Sequence, residues 1–109
     1  MIKEGISFHD SSVVAVWCLS NQMILHLEDV YVDGFLRKAV ITITGFGSII
    51  CNGQPVSTFE LPFNDAEVLK LESTPVSLSI LLQSMNYKTR ETITQALEFK
   101  AEHVTIEFL

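Results

Sequence analysis

Side chains that could bind a metal ion or act as nucleophiles are few and scattered in this 109-residue chain. They are three histidines and two cysteines: His9, His26, His103, Cys18 and Cys51. The histidines lie far apart, and neither cysteine belongs to a Cys-x-x-Cys pair, so the spacing of a zinc site is missing. The sequence therefore predicts no metal and no cofactor, with His26 on the solvent face of a strand.

The adjacent pair His9 and Asp10 is the best remaining candidate for acid–base chemistry. A carboxylate can orient an imidazole, but neighbouring side chains on an extended chain point to opposite sides. A nucleophile would also be needed, and Cys18 lies within an apolar run while no Gly-x-Ser-x-Gly motif is present. We therefore expect no enzyme, and a turn in which Asp10 or Ser11 bonds a backbone N–H.

The charge balance narrows the classes of partner. Thirteen Asp and Glu residues against seven Lys and Arg residues give a formal net charge of −6, which repels nucleic acid and anionic membranes. The opening residues lack the apolar stretch of a signal peptide, and no run approaches a membrane span. These features predict a cytoplasmic protein with reduced thiols, although pairing of Cys18 with Cys51 stays open.

Apolar and polar residues alternate along most of the chain, which is typical of β-strands. Asp33-Gly34 is a strong signal for a two-residue hairpin turn. The strands are predicted at residues 13–19, 23–32, 36–44, 48–51, 68–71, 76–82, 92–100 and 103–109. About eight short strands in a single domain over residues 1–109 predict an all-β, antiparallel sandwich or partly open barrel.

Two positions are ambiguous in this pattern. Residues 59–66 contain Pro62, which excludes a central strand, so this segment is an edge strand or a long connection, and Asn64-Asp65 could cap a helical turn through Leu69. Gln95 interrupts the inward residues of its strand, and is either at the rim of the sheet or a buried amide with a partner.

The aromatic residues are the main functional candidates. Five aromatic side chains are more than one small sheet face can easily bury: Trp17, Tyr31, Phe35, Phe46 and Phe59. They either fill the second layer of the sandwich or stand at a binding surface, where aromatic residues contribute strongly to affinity.

The residues Phe8, His9, Asp10 and Ser11, followed by an apolar strand, a polar break and a second strand, resemble the start of small bacterial all-β proteins. Some of these proteins are grouped with the immunity proteins of polymorphic toxin systems. Residues 46–49 and 96–108 are the counterparts of a central strand and a C-terminal strand pair. The resemblance implies a cytoplasmic protein that blocks a partner by occlusion, and the negative charge suits a basic toxin domain.

The sequence thus favours a non-catalytic protein-interaction module, either an immunity-type inhibitor or a subunit of a homo-oligomer. Its candidate surface comprises His9, Asp10 and the five aromatic residues. The alternative is a small-ligand-binding β-barrel with Gln95 or His103 pointing into a cavity. An enzyme would require His9, Asp10 and Cys18 to converge.

Overall fold

The computed structural model describes residues 5–19 and 21–109, which form an all-β fold. Ten strands belong to one antiparallel sheet that does not close. They are β1 (Ile6–Ser7), β2 (Ser12–Leu19), β3 (Gln22–Val32), β4 (Phe35–Thr44), β5 (Ile49–Cys51), β6 (Gln54–Val56), β7 (Ala66–Thr74), β8 (Ser77–Met85), β9 (Thr92–Lys100) and β10 (His103–Phe108). The predicted all-β antiparallel architecture is confirmed.

The sheet bends into two facing layers. Its strand order is β10-β4-β3-β2-β7-β8-β9-β5-β6, with β1 paired separately to β3, and two residue pairs join β2 to β7 in the middle. Side chains from both halves pack into a single apolar cluster. At the open side, the N–H of Val104 on β10 donates to the carbonyl of Pro75 between β7 and β8, at 2.8 Å. One layer therefore consists of β10, β4, β3 and β2, and the other of β7, β8, β9, β5 and β6.

The core follows directly from strand alternation, because every second side chain faces the opposite layer. In the first layer it includes Met23, Leu25, Leu27, Ala39, Ile41 and Ile43, all buried. In the second it includes Leu78, Ile80, Leu82, Leu97 and Phe99. The Phe46 ring meets the Phe99 ring edge to face at 5.7 Å.

Two tight turns have the residues that their backbone requires. Asp33 and Gly34 have φ values of 51° and 88°, and Asn52 and Gly53 have 51° and 81°. Positive φ at both central residues defines a type I′ turn, whose twist matches that of the flanking strands. The predicted hairpin at Asp33-Gly34 is confirmed, and Asn52-Gly53 closes a further hairpin of β5 and β6.

Of the two predicted forms of the segment around Pro62, the long connection is confirmed, and the helical turn that Asn64-Asp65 could have capped is not formed there. Residues 57–65 form an irregular connection, and β7 begins at Ala66 and continues to Thr74. Pairing of β7 with β8 along its length outweighs the local capping signal, because it satisfies the backbone of the whole segment. Val76 lies exposed in the turn between β7 and β8 rather than starting a strand.

Gly45 permits the chain to leave β4 and pass β10. Its φ is +77°, and a Cβ atom there would lie 2.7 Å from the Cγ and 2.9 Å from the Cβ of Glu102. We expect Gly45→Ala to lower the free energy of unfolding by about 1–3 kcal/mol, because alanine is strained at this φ and crowds Glu102. Gly47→Ala is the control, since its Cβ would meet nothing within 4 Å. Equal melting temperatures for the two variants would contradict this account.

Candidate functional site

His9 and Asp10 occupy a tight turn between β1 and β2. Asp10 has a φ of 68°, its N–H donates to the carbonyl of Val68 at 3.0 Å, and the buried Ser11 hydroxyl donates to the carbonyl of Phe8. The turn is therefore as expected, but Ser11 bonds a carbonyl rather than an N–H. His9 Nδ1 and Asp10 Oδ2 lie 3.1 Å apart. The expectation that these side chains diverge is wrong, because the left-handed backbone at Asp10 removes the alternation of an extended chain.

An open depression of about 720 Å³ lies beside this turn. Its lining residues are Gly5, Ile6, Ser7, His9, Asp10, Asp29, Tyr31 and Leu36. Asp29 reaches it because β3 carries a bulge between Leu27 and Val30, where Asp29 has a φ of 60°. The depression thus combines apolar side chains with two exposed carboxylates, those of Asp10 and Asp29.

The hairpin of β3 and β4 forms one wall of the depression and extends past the core. Tyr31 faces Leu36 across the two strands, and Val32 faces Phe35 beside the Asp33-Gly34 turn. Tyr31, Phe35 and Leu36 are 50%, 71% and 60% exposed. We call this region the hairpin end, comprising Tyr31, Phe35, Leu36 and the adjoining depression. Tyr31 and Leu36 share one face of the hairpin and Phe35 lies on the other, since successive cross-strand pairs alternate between faces. Exposed apolar residues that share a face mark an interaction site more often than isolated ones do.

Hydrolytic chemistry at the depression would require a hydroxyl or thiol hydrogen-bonded to the His9–Asp10 pair. Ser7 and the His9–Asp10 pair line the depression together, but in residues 5–19 and 21–109 no hydroxyl or thiol hydrogen-bonds to His9. Cys18 is paired with Met23 on β2 and packs against the core, so it does not join them. Within the same residues, no three His, Cys, Asp or Glu side chains are grouped as metal ligands.

The other predicted surface residues separate into two groups. Phe46 and Phe59 are buried in the core, so their assignment to a binding surface is corrected: they fill the space between the layers. Trp17 is 48% exposed on the outer face of β2, where its ring meets the half-buried His26 at 4.4 Å between centroids.

The polar residues considered for an internal ligand site do not share a cavity. His103 is exposed on β10, so it does not point inward as the alternative of a small-ligand-binding barrel would require. Gln95 is half-buried, its Nε2 lies 4.0 Å from Cys51 Sγ, and its Oε1 is buried without a hydrogen-bond partner, as is Ser84 Oγ. Neither expectation for Gln95, a rim position or a satisfied amide, describes this arrangement. Cys18 and Cys51 are both free thiols.

Comparison with protein-family models, curated proteins and solved structures finds no match to this chain. In its described residues there is no helix with the length and apolar character needed to cross a bilayer.

Sequence reasoning missed five residues of the hairpin end: Gly5, Ile6, Ser7, Asp29 and Leu36. A signal for Leu36 was present, since a two-residue turn at Asp33-Gly34 sets the register and places Leu36 opposite Tyr31. The bulge that brings Asp29 to the depression contains no glycine, the residue that usually indicates a bulge in a sequence. Asp29 adopts the positive φ instead, which aspartate tolerates better than most residues.

Proposed function

We propose that this chain is a non-catalytic protein-binding module that docks a basic protein at the hairpin end. The observation that carries the proposal is the exposure of Tyr31 and Leu36, a cross-strand pair that lines a depression. A tyrosine and neighbouring apolar side chains supply the desolvated centre that interfaces use for affinity. The depression is open and shallow, as a protruding side chain of a protein partner would need.

Charge supports a basic partner. The chain carries a formal charge of −6, and the carboxylates of Asp10 and Asp29 line the depression. The same hairpin also carries two cations, Lys38, whose Nζ lies 3.9 Å from Glu28 Oε2 in an exposed ion pair, and the exposed Arg37. Complementary charge raises the rate of encounter with a basic surface and disfavours acidic competitors.

Residues 8–11 and the strands that follow resemble the start of small bacterial all-β proteins, some of which are grouped with immunity proteins. From this resemblance we propose that the protein is a cytoplasmic immunity-type inhibitor. Its partner would be the toxin of a bacterial polymorphic toxin system, blocked by occlusion. The other member of the same class is a subunit of a homo-oligomer, in which the hairpin end contacts a second copy.

The test is affinity capture from the native cell with three baits. Wild-type protein is expected to retain one stoichiometric, basic protein identified by mass spectrometry. The bait Tyr31→Ala/Leu36→Ala is expected to lose it, whereas Tyr87→Ala, which truncates a more exposed tyrosine (71% against 50%) in the β8–β9 loop, is expected to keep it. Retention by all three baits, or an acidic partner, would refute docking at the hairpin end.

A small-ligand site is the second candidate, supported by the buried polar atoms Ser84 Oγ and Gln95 Oε1 that lack partners. These atoms lie on neighbouring strands β8 and β9 inside the sandwich. A ligand that bonds them would raise the melting temperature in proportion to its concentration. Ser84→Ala/Gln95→Leu should remove that rise while the capture of a protein partner persists.

A further inference from the structure

The outer face of the first layer is a continuous grid of three cross-strand rows. Antiparallel register aligns the outward positions of β2, β3, β4 and β10. The rows are Leu19, Gln22, Thr44 and His103; Trp17, Ile24, Thr42 and Thr105; and Ala15, His26, Val40 and Glu107. We call these twelve positions the Trp17 face. It lies on strands that also form the hairpin end but at the opposite end of β3.

The Trp17 face is nearly free of charge in an acidic protein. Of its twelve positions, one is a carboxylate, Glu107 at a corner, and none is Lys or Arg. The outer face of the second layer differs, because its outward positions include Glu67, Lys70, Glu72, Glu98 and Lys100. Two copies of a chain with charge −6 repel each other, and this repulsion is smallest where the contacting surfaces carry few charges.

The apolar residues of the Trp17 face are concentrated on one side of it. Trp17 and Leu19 on β2 are 48% and 57% exposed, and Ile24 lies beside Trp17 on β3. On β4 and β10, the row of Trp17 continues with Thr42 and Thr105, and the row of Leu19 continues with Thr44 and His103. A two-fold axis places one patch of a surface against the same patch of a second copy. Trp17, Leu19 and Ile24 of one copy would therefore contact the same residues of the other.

From these observations we propose that the Trp17 face is a self-association surface whose occupant is a second copy of this chain. Four strands about 4.8 Å apart and three rows about 6.7 Å apart give roughly 400 Å² per copy. Stable dimers bury about 800 Å² per partner, so the contact is weak and reversible. Because contact area alone does not fix affinity, we expect self-association to be measurable only at high protein concentration.

The single tryptophan makes the proposal directly measurable, because Trp17 is the only one in the chain. Its emission should shift to shorter wavelength, and its quenching by acrylamide should fall, as the concentration rises from roughly 5 µM to roughly 1 mM. Sedimentation velocity over the same range should show a monomer converting to a dimer. Both readouts follow from the loss of water around the indole ring.

Two matched variants assign the contact to this face. Leu19→Glu and Val76→Glu each add one negative charge at positions that are 57% and 56% exposed, and both retain Trp17 as the reporter. Leu19→Glu is expected to weaken self-association at least tenfold, whereas Val76→Glu, in the β7–β8 turn, should leave it within twofold. Melting temperatures of both variants should match the wild type, since neither side chain is part of the core.

Three results would contradict self-association through the Trp17 face. A chain that stays monomeric near 1 mM with constant Trp17 emission would overturn the proposal. Equal weakening by both variants would also overturn it, as would a dimer lost in Tyr31→Ala, which would place the self-contact at the hairpin end. Capture of a basic partner that survives Leu19→Glu leaves the proposed function intact whichever way self-association turns out.

Discussion

Deletion of residues 106–109 is expected to lower the free energy of unfolding by about 4 kcal/mol or more, a large part of the total for a domain of this size. The deletion removes three of the six pairs between β10 and β4 and the N–H of Leu109, which donates to the Lys38 carbonyl at 2.9 Å. It also removes Ile106 and Phe108, which pack against the core. The Phe108 ring lies 6.3 Å from the Phe8 ring, so the turn carrying His9 loses support as well.

Chemical denaturation followed by far-UV circular dichroism measures this loss. Deletion of Leu109 alone is the control, because its side chain is 63% exposed and it contributes a single backbone hydrogen bond, worth about 1 kcal/mol. A four-residue deletion that unfolds at the same denaturant concentration as this control would show that β10 does not hold the first layer together.

Tyr31→Ala is expected to weaken binding of the proposed basic partner by about 30-fold or more, the effect of truncating an aromatic residue at the centre of an interface. Tyr31 lines the depression together with Asp29 and with Leu36, its cross-strand neighbour. The loss should come from faster dissociation, because packing contacts determine how long a complex lasts.

Replacement of the carboxylates of Asp10 and Asp29 should lower the rate of association with the basic partner. Asp10→Asn/Asp29→Asn removes two negative charges, and asparagine suits the positive φ of both positions. We expect slower association, a weaker dependence on salt and little change in dissociation. Surface plasmon resonance at two ionic strengths separates the two rates, with Glu91→Gln, an exposed carboxylate next to β9, as control. A salt-independent association rate for the wild type would rule out electrostatic attraction at this site.

The regular parts of the fold could be predicted because their signals are local. Alternation of apolar and polar residues predicted β3, β4, β9 and β10 within a few residues of their observed bounds. The dipeptide Asp33-Gly34 predicted the turn between β3 and β4. The long connection around Pro62 was predicted, but the start of β7 at Ala66 was not, because the capping signal of Asn64-Asp65 is local and is overridden by pairing of β7 with β8. Pairing between distant strands contributes more hydrogen bonds than a single helical turn can.

The candidate site was predicted only in part, because residue type is visible in the sequence but exposure is not. Tyr31 and Phe35 were identified by residue type, and they do lie exposed at one hairpin. Phe46 and Phe59 have the same residue type and a similar context of turn residues, yet the facing layer covers both. The sequence of a strand shows which side chains share a face, but whether that face is covered depends on elements far away in the chain.

By itself, the sequence determined that this protein is all-β, that its strands are joined by hairpins and which residues alternate toward the core, because backbone geometry and turn chemistry act over a few residues. The tertiary structure alone decided that the sheet bends at the short junction of β2 and β7 and that β10 pairs with β4 rather than with β9, which precedes it. It also brought Asp10, Asp29 and Tyr31 around one depression. These features depend on burying both layers against each other, a free energy shared by the whole chain and visible in no single segment.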